Sequence, residues 1–235
     1  KEPNPVVFVS FYPEESDDFE SLKNGLEKLK LNDSALTIEP DQNEVLGRGF
    51  KIGFLGRLHF EIAAERLKRE FGASTLNTFP SVLYRVKTKK SWLEIVKPED
   101  LPEEYEEIWE PVVRTEIIIP SAHLKNLIPL QSFFRMKDVD TSTLAPVSGE
   151  FSGEQIQVIA TMPLAELISD FDDKLKSATE GYASFSYEVV GYEKADIKRV
   201  DVLISGRIIP GLSRFFHRET FERESRKVVE KLKEL

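Results

Sequence analysis

Residues 6–86 alternate between strand-like and helix-like hydrophobic periodicity in the order β-α-β-β-α-β, and that order restricts the fold more than any other feature of the chain. Val6–Tyr12 is a β-branched and aromatic run that ends at Pro13, which predicts a strand. Asp17–Leu31 repeats Phe19, Leu22, Leu26 and Leu29 at helical spacing, with Asp17 or Asp18 placed to cap it. Ala35–Pro40 and Gly49–Leu55 read as strands around a turn at Asp41-Gln42-Asn43-Glu44. Arg57–Phe71 reads as a second helix, in which Leu58 and Ile62 mark a buried stripe and Glu65, Arg66 and Arg69 a charged face. Gly72 ends it. Leu76–Val86 is extended and broken at Pro80. A split βαβ plait fits this order, with both helices on one face of an antiparallel sheet.

The pattern then repeats. Pro111–Pro120 is a strand rich in Val and Ile, Ser121 can cap a helix over Ala122–Phe133, and Gly153–Thr161 is a strand. Leu164, Leu167, Ile168, Phe171 and Leu175 follow as one apolar helix face, opened by Pro163 at a first-turn position and closed at Gly181. Tyr182, Phe185 and Tyr187 begin the last strand. The strand this second plait still needs falls between Lys137 and Phe151, a polar, small-residue interval that also suits a loop. The fold class is therefore α+β: two ferredoxin-like (split βαβ) plaits joined by a linker, plus a partial C-terminal α/β segment. The expected divisions are 1–86, a linker at 87–109, 110–193, and 194–235 as the start of a further domain or a segment leaning on the second plait. In the linker, Glu99, Asp100, Glu103, Glu104, Glu106, Glu107 and Glu110 read as a solvated acidic run around one hairpin or helical turn. Val200–Gly206 reads as a short strand, Leu212–Phe216 as a second strand or turn, and Phe221–Leu235 as a helix.

Net charge is −9, but Lys194–Leu235 carries 11 Lys/Arg against 7 Asp/Glu. An acidic body argues against a broad nucleic-acid surface, while the basic end permits a local one. There is no cysteine, which removes disulfides and thiolate chemistry and fits a reducing cytosol. The start, Lys1-Glu2-Pro3-Asn4-Pro5, has neither an initiator methionine nor a signal peptide and reads as that of a fragment or a processed product. No Gly-x-x-x-x-Gly-Lys-Ser/Thr loop is present, so no P-loop for a nucleoside triphosphate. Gly47-Arg48-Gly49 and Gly53–Gly56 read as tight turns flanking a strand. His59, His123 and His217 are scattered, which disfavours a metal site, and no Gly-x-Ser-x-Gly elbow occurs. Read this far, the chain shows no catalytic site, and two plaits joined by a linker could serve as a binding module, a regulatory small-molecule domain or part of an assembly factor.

Several blocks resemble one family in one order. Pro5-Val6-Val7-Phe8-Val9-Ser10-Phe11-Tyr12-Pro13, Gly53-Phe54-Leu55-Gly56-Arg57-Leu58-His59-Phe60-Glu61-Ile62, Thr78-Phe79-Pro80-Ser81-Val82-Leu83-Tyr84 and Glu110-Pro111-Val112-Val113-Arg114 are similar to LepA (elongation factor four), a family of translational GTPases. So are the Met162–Glu188 stretch, Val200–Gly206, His217-Arg218 and Val229–Leu235. The resemblance covers nearly the whole chain, as the third and fifth domains plus the start of the C-terminal domain. Elongation factor G inserts a further domain between its two plaits. Residues 87–109 are too few for one, which separates the LepA pattern from it. Four features depart from the family: Arg57 in place of an apolar residue, a long 131–152 interval without the usual Arg-Gly pair, Glu224-Ser225 near the end, and no basic tail.

The resemblance implies a ribosome-binding part of a GTPase of protein synthesis, in back-translocation or ribosome maturation. GTP and magnesium would sit in an N-terminal region outside these residues. It implies the ribosome as partner (ribosomal RNA, ribosomal proteins and tRNA), together with the protein's own GTPase domain, and no DNA. The location would be cytoplasmic, with peripheral association with the inner membrane face left open. Alternatives are a non-catalytic two-plait binding module or another elongation factor G-like factor. The expected RNA contacts are Lys198, Arg199, Arg214, His217 and Arg218, because exposed cations neutralise phosphates. The competing reading pairs them with Asp196, Glu219 and Glu222. Arg57, His59 and Glu61 are expected at an interdomain contact, against local capping and packing as the alternative.

Overall fold

The structure is a computed structural model that describes residues 5–144, 154–204, 206–209 and 211–233. These fall into two compact units: the residues up to Trp109 together with those from Lys194 onward, and Glu110–Glu193.

The first unit is built on the predicted plait. Strands β1 (Val7–Pro13), β2 (Thr37–Asn43), β3 (Gly47–Phe54) and β4 (Thr75–Asn77) form an antiparallel sheet in the order β2-β3-β1-β4. Helices α1 (Phe19–Asn32) and α2 (Arg57–Phe71) pack against each other. The core lies where Val7, Val9 and Phe11 meet Ile52, Phe54, Leu22, Leu26, Leu29 and Leu67, all nearly inaccessible. Gly72 ends α2 at φ 64°, donating its N–H to the last carbonyls as a left-handed C-terminal glycine does.

Three local expectations fail in this unit. No side chain caps α1 at Asp18; the preceding Ser16–Asp18 forms a 3-10 turn instead. The turn of the first hairpin moves to residues 44–46, held by Asn43 Oδ1 accepting from the Val45 and Leu46 N–H groups at 2.8 and 3.0 Å. On α2 the buried residues are Ala63 and Leu67, whereas Leu58 and Ile62 are 68 % and 50 % exposed. The buried Leu67 lies against Gly25 of α1.

Strands β5 (Tyr84–Lys87) and β6 (Trp92–Ile95) form a hairpin across the boundary between the expected first plait and the interval read as a linker. β5 also pairs with the first residues of β7 (Glu107–Pro120), Arg85 facing Trp109. Tyr84, Val86 and Ile95 are buried on one side, while Trp92 and Trp109 meet edge to face on the other at 5.9 Å. A polar tie anchors the segment after the hairpin. Lys97 pairs with Asp41, whose side chain is 7 % exposed and also accepts from Tyr12 Oη at 2.7 Å. Burial alone would raise the Asp41 carboxyl. Hydrogen bonds from Lys97, Ser10 and Tyr12 outweigh it and hold the group below the usual carboxylate range. A carboxyl depressed in the folded state adds stability above its unfolded pKa, and that stability disappears as pH falls through the folded value. Asp41→Asn is therefore expected to lower stability at neutral pH and to flatten the loss of stability on acidification below about pH 4. Urea unfolding of both proteins between neutral and acid pH reads this directly. Parallel curves would show that the tie adds nothing.

In the second unit β7 pairs with β9 (Gln155–Pro163), β9 with β8 (Lys137–Leu144), and β10 (Ser184–Ala195) with β7. The order β8-β9-β7-β10 repeats that of the first plait. The strand sought between Lys137 and Phe151 is thus β8, an almost wholly exposed edge; residues 145–153 lie outside the described set. Helix α3 (Leu124–Phe133) follows a 3-10 turn at Ser121–His123, with no side-chain cap from Ser121. The second helical stretch runs as α4 (Leu164–Glu166), a wide π turn (Leu167–Phe171) and α5 (Asp172–Ala178). Pro163 stands just before it, as the last residue of β9. Leu164, Leu167, Ile168, Phe171 and Leu175 are all at most 4 % exposed, as their spacing predicts.

One buried cluster was not expected. Glu110, counted in the sequence with a solvated acidic run, is 3 % exposed. Arg135 forks onto its two carboxylate oxygens at 2.8 and 3.1 Å and also pairs with Glu166. Arg135 reaches them from the residue that closes α3, where Met136 N–H donates to Gln131 O at 2.8 Å. Its φ of 47° is left-handed, a conformation that costs a non-glycine residue about 1–2 kcal/mol. Burial alone would lower the Arg135 pKa, but the two glutamates hold it above the ordinary value.

Candidate nucleic-acid interface

The C-terminal segment belongs to the first unit. Two strands, β11 (Ile197–Val200) and β14 (Arg214–His217), pair antiparallel, with Lys198 opposite Phe216 and Val200 opposite Arg214. Between them β12 (Leu203–Ile204) and β13 (Arg207–Ile208) make a small hairpin, so the single strand expected over Val200–Gly206 is split in two. Helix α6 (Phe221–Lys233) packs on β14. Phe215 lies 4.8 Å from the Tyr84 ring, and Gly211 N–H donates to Glu99 at 3.1 Å, which fixes the segment on the 84–99 region.

The five cations expected to meet RNA do not share one environment. Lys198 Nζ lies 2.8 Å from Asp196, and Arg218 reaches the same carboxylate at 3.6 Å. Arg199 Nε binds Asp201 at 2.8 Å, and Ser213 Oγ donates to the same carboxylate at 2.6 Å. Residues i and i+2 share a face of an extended chain, so Asp196 beside Lys198 and Arg199 beside Asp201 could have been paired from spacing alone. The Asp196 pairs are exposed, and such pairs contribute little, whereas the Arg199–Asp201 pair is partly buried. His217 Nδ1 accepts from the Glu219 N–H at 3.2 Å.

Arg214 differs. Its guanidinium carbon stands 3.1 Å from the centre of the Phe79 ring, and its buried Nε has no hydrogen-bond partner among the described residues. Burial pushes its pKa down to about 10, opposed by the charge of Glu224. That carboxylate is engaged by Arg223 at 2.8 Å and Lys227 at 3.0 Å. Phe79 carried no signal as a site residue in the sequence, because its approach to Arg214 is set by the tertiary fold.

Arg57, His59 and Glu61 open α2. Arg57 pairs with Glu61 one turn on, at 2.8 Å. His59 Nδ1 accepts from the Leu55 N–H at 3.1 Å, closing the helix start, and Nε2 lies 2.6 Å from Asp33 Oδ2 at the end of α1. The acceptor role of Nδ1 fixes the proton on Nε2. His59 thus ties the two helices of the plait together.

GTP and magnesium do not fit the described residues. Gly49 and Gly53 of β3 face protein, since a Cβ on Gly49 would run into the Phe11 carbonyl and the Tyr12 ring, and one on Gly53 into Thr37 and Pro5. They are close-packing glycines, not a phosphate cradle. Among the described residues no three His, Asp or Glu side chains are grouped to hold a metal.

Comparison with known sequences agrees with this architecture. Residues 2–76 match the model of Elongation Factor G, domain III, and residues 107–203 that of the Elongation factor G C-terminus. Two plaits in this succession place the chain in the class of elongation factor G-like translation factors. Elongation factor 4 of Rubrobacter xylanophilus is 46 % identical over 98 % of the chain and 37 % of that protein. The Thermus thermophilus protein of the same name is 42 % identical over 98 % of the chain and 38 % of its own length. The Mycobacterium tuberculosis protein is 41 % identical over the full chain and 35 % of its own length. The chain belongs to the elongation factor 4 (LepA) family, and it spans little more than a third of the length of these relatives. No described helix is long and apolar enough to cross a membrane.

Proposed function

We propose that this chain is the ribosome-docking part of a LepA-type translational GTPase acting in the cytoplasm, in back-translocation or ribosome maturation. The observation that carries this reading is the 46 % identity to an elongation factor 4 that runs through both plaits and the segment after them. The parent protein hydrolyses GTP with magnesium at a site outside these residues. The first plait, over 1–86, passes the nucleotide state onward, with Arg57, His59 and Glu61 at the contact with the GTPase domain. Residues 87–109 join it to the second plait, over 110–193, which docks near the factor-binding centre. The segment from 194 turns its cations toward tRNA or ribosomal RNA. Lys198 and Arg218 leave Asp196 for phosphate, Arg199 and His217 flank them, and Arg214 joins from β14.

Co-sedimentation of this chain with purified ribosomes tests the reading. It is expected to pellet with ribosomes at low salt and to be released steeply as salt rises, since each displaced counterion adds to the salt dependence. A chain that stays in the supernatant at low salt contradicts it.

A further inference from the structure

We infer that Arg214 is the seat of a phosphate group, supplied by an RNA backbone. The inference rests on the proposal that this segment meets RNA. It singles out Arg214 from Lys198, Arg199 and Arg218, whose charges are paired with carboxylates within the segment.

The reasoning starts from charge accounting. Lys198, Arg199 and Arg218 each have a carboxylate within the segment, Asp196 or Asp201. Arg214 has none in hydrogen-bonding range among the described residues, and the nearby Glu224 is held by Arg223 and Lys227. A guanidinium carries five N–H donors in a rigid fork that matches an oxyanion. Here the fork is partly desolvated over the Phe79 ring, with Nε buried and unsatisfied among the described residues. A cation–π contact returns about 2 kcal/mol or more when desolvated, set against the several kcal/mol that a fully buried unpaired ion costs, of which the half-buried Arg214 bears a part. The free protein therefore holds a destabilised cation that an arriving anion relieves. A second orphan donor belongs to the same pair of packed elements: the Ser225 hydroxyl oxygen on α6 is buried without a partner among the described residues. The net positive charge of the segment favours a polyanion over a lone carboxylate.

The test uses Arg214→Met, which keeps length and apolar contact with Phe79 while removing charge and donors. Inorganic phosphate is expected to raise the melting temperature of the native chain above that in chloride of equal ionic strength, and to leave Arg214→Met unmoved. Without phosphate the variant is expected to melt no lower than the native chain, because a half-buried charge without a carboxylate partner among the described residues has been replaced by an apolar group that keeps the contact with Phe79. A fluorescein-labelled A12 oligoribonucleotide is expected to bind the variant about tenfold more weakly, as for one charge-assisted hydrogen bond. Phe79→Leu, which keeps the guanidinium, is expected to retain the phosphate response.

Melting of Arg214→Met clearly below the native chain would overturn the inference and make the residue a structural mount on Phe79. A greater response to poly-glutamate than to phosphate would also overturn it, in favour of an acidic protein partner. Loss of the phosphate response with ribosome pelleting intact defeats this inference alone. Pelleting that fails while the phosphate response survives defeats the ribosome reading alone.

Discussion

Replacing Arg135 with methionine is expected to destabilise the second unit by about 3–5 kcal/mol, the largest effect of any single charge change in the chain. The side chains of Arg135, Glu110 and Glu166 are only 11 %, 4 % and 11 % exposed. Removing the arginine leaves two carboxylates facing each other out of water, and neither the lost fork nor the repulsion is compensated by solvent. The sign of the effect reverses when all three residues change together. Arg135→Met with Glu110→Leu and Glu166→Met removes every buried charge of the cluster, and such replacements are commonly neutral or stabilising. Denaturant unfolding of the single and triple variants separates these cases. If the single variant lost less than about 1 kcal/mol, the triad would be behaving as an exposed surface pair. Arg135→Gly relaxes the left-handed backbone but still loses the fork, so it is expected to fall between the native chain and Arg135→Met.

Phe171→Ala is expected to cost about 3–5 kcal/mol by a different mechanism. The ring is fully buried and meets Phe134 at 5.0 Å and Phe185 at 5.2 Å, both edge to face. It therefore joins α3, the π turn and β10, and a cavity there disconnects both helices from the sheet. Phe171→Leu keeps most of the volume and is expected to lose roughly half as much. Thermal unfolding with near-ultraviolet circular dichroism distinguishes a clean loss of stability from a loosened core. A loss below about 1 kcal/mol for the alanine variant would mean that the three elements repack around the gap.

These two sites also show where sequence reading reached and where it stopped. The faces of α1 and of the Leu164–Leu175 stretch were legible because large apolar residues recur there at helical spacing with little competition. On α2 the same logic pointed to Leu58 and Ile62, and the structure buries Ala63 and Leu67 instead. Periodicity marks every apolar residue near a stripe but does not fix which side of it meets the sheet. Glu110 was misread for the complementary reason. In sequence it closes an acidic run, and only the fold brings Arg135 and Glu166 to it. Arg214 lay among the cations singled out by composition, yet its distinctive property, a guanidinium with no acid in hydrogen-bonding range among the described residues, arises from contacts with Phe79 and β14. Local pairs such as Lys198 with Asp196 were readable in advance, and long-range ones were not.

GTP hydrolysis by the proposed longer parent protein, assayed with and without ribosomes, is the most direct measurement. Slow hydrolysis alone and strong stimulation by ribosomes, weakened when residues 194–235 and everything after them are removed, is the predicted result. Hydrolysis indifferent to ribosomes, or none under either condition, would contradict the assignment of these two plaits and their C-terminal segment to ribosome docking.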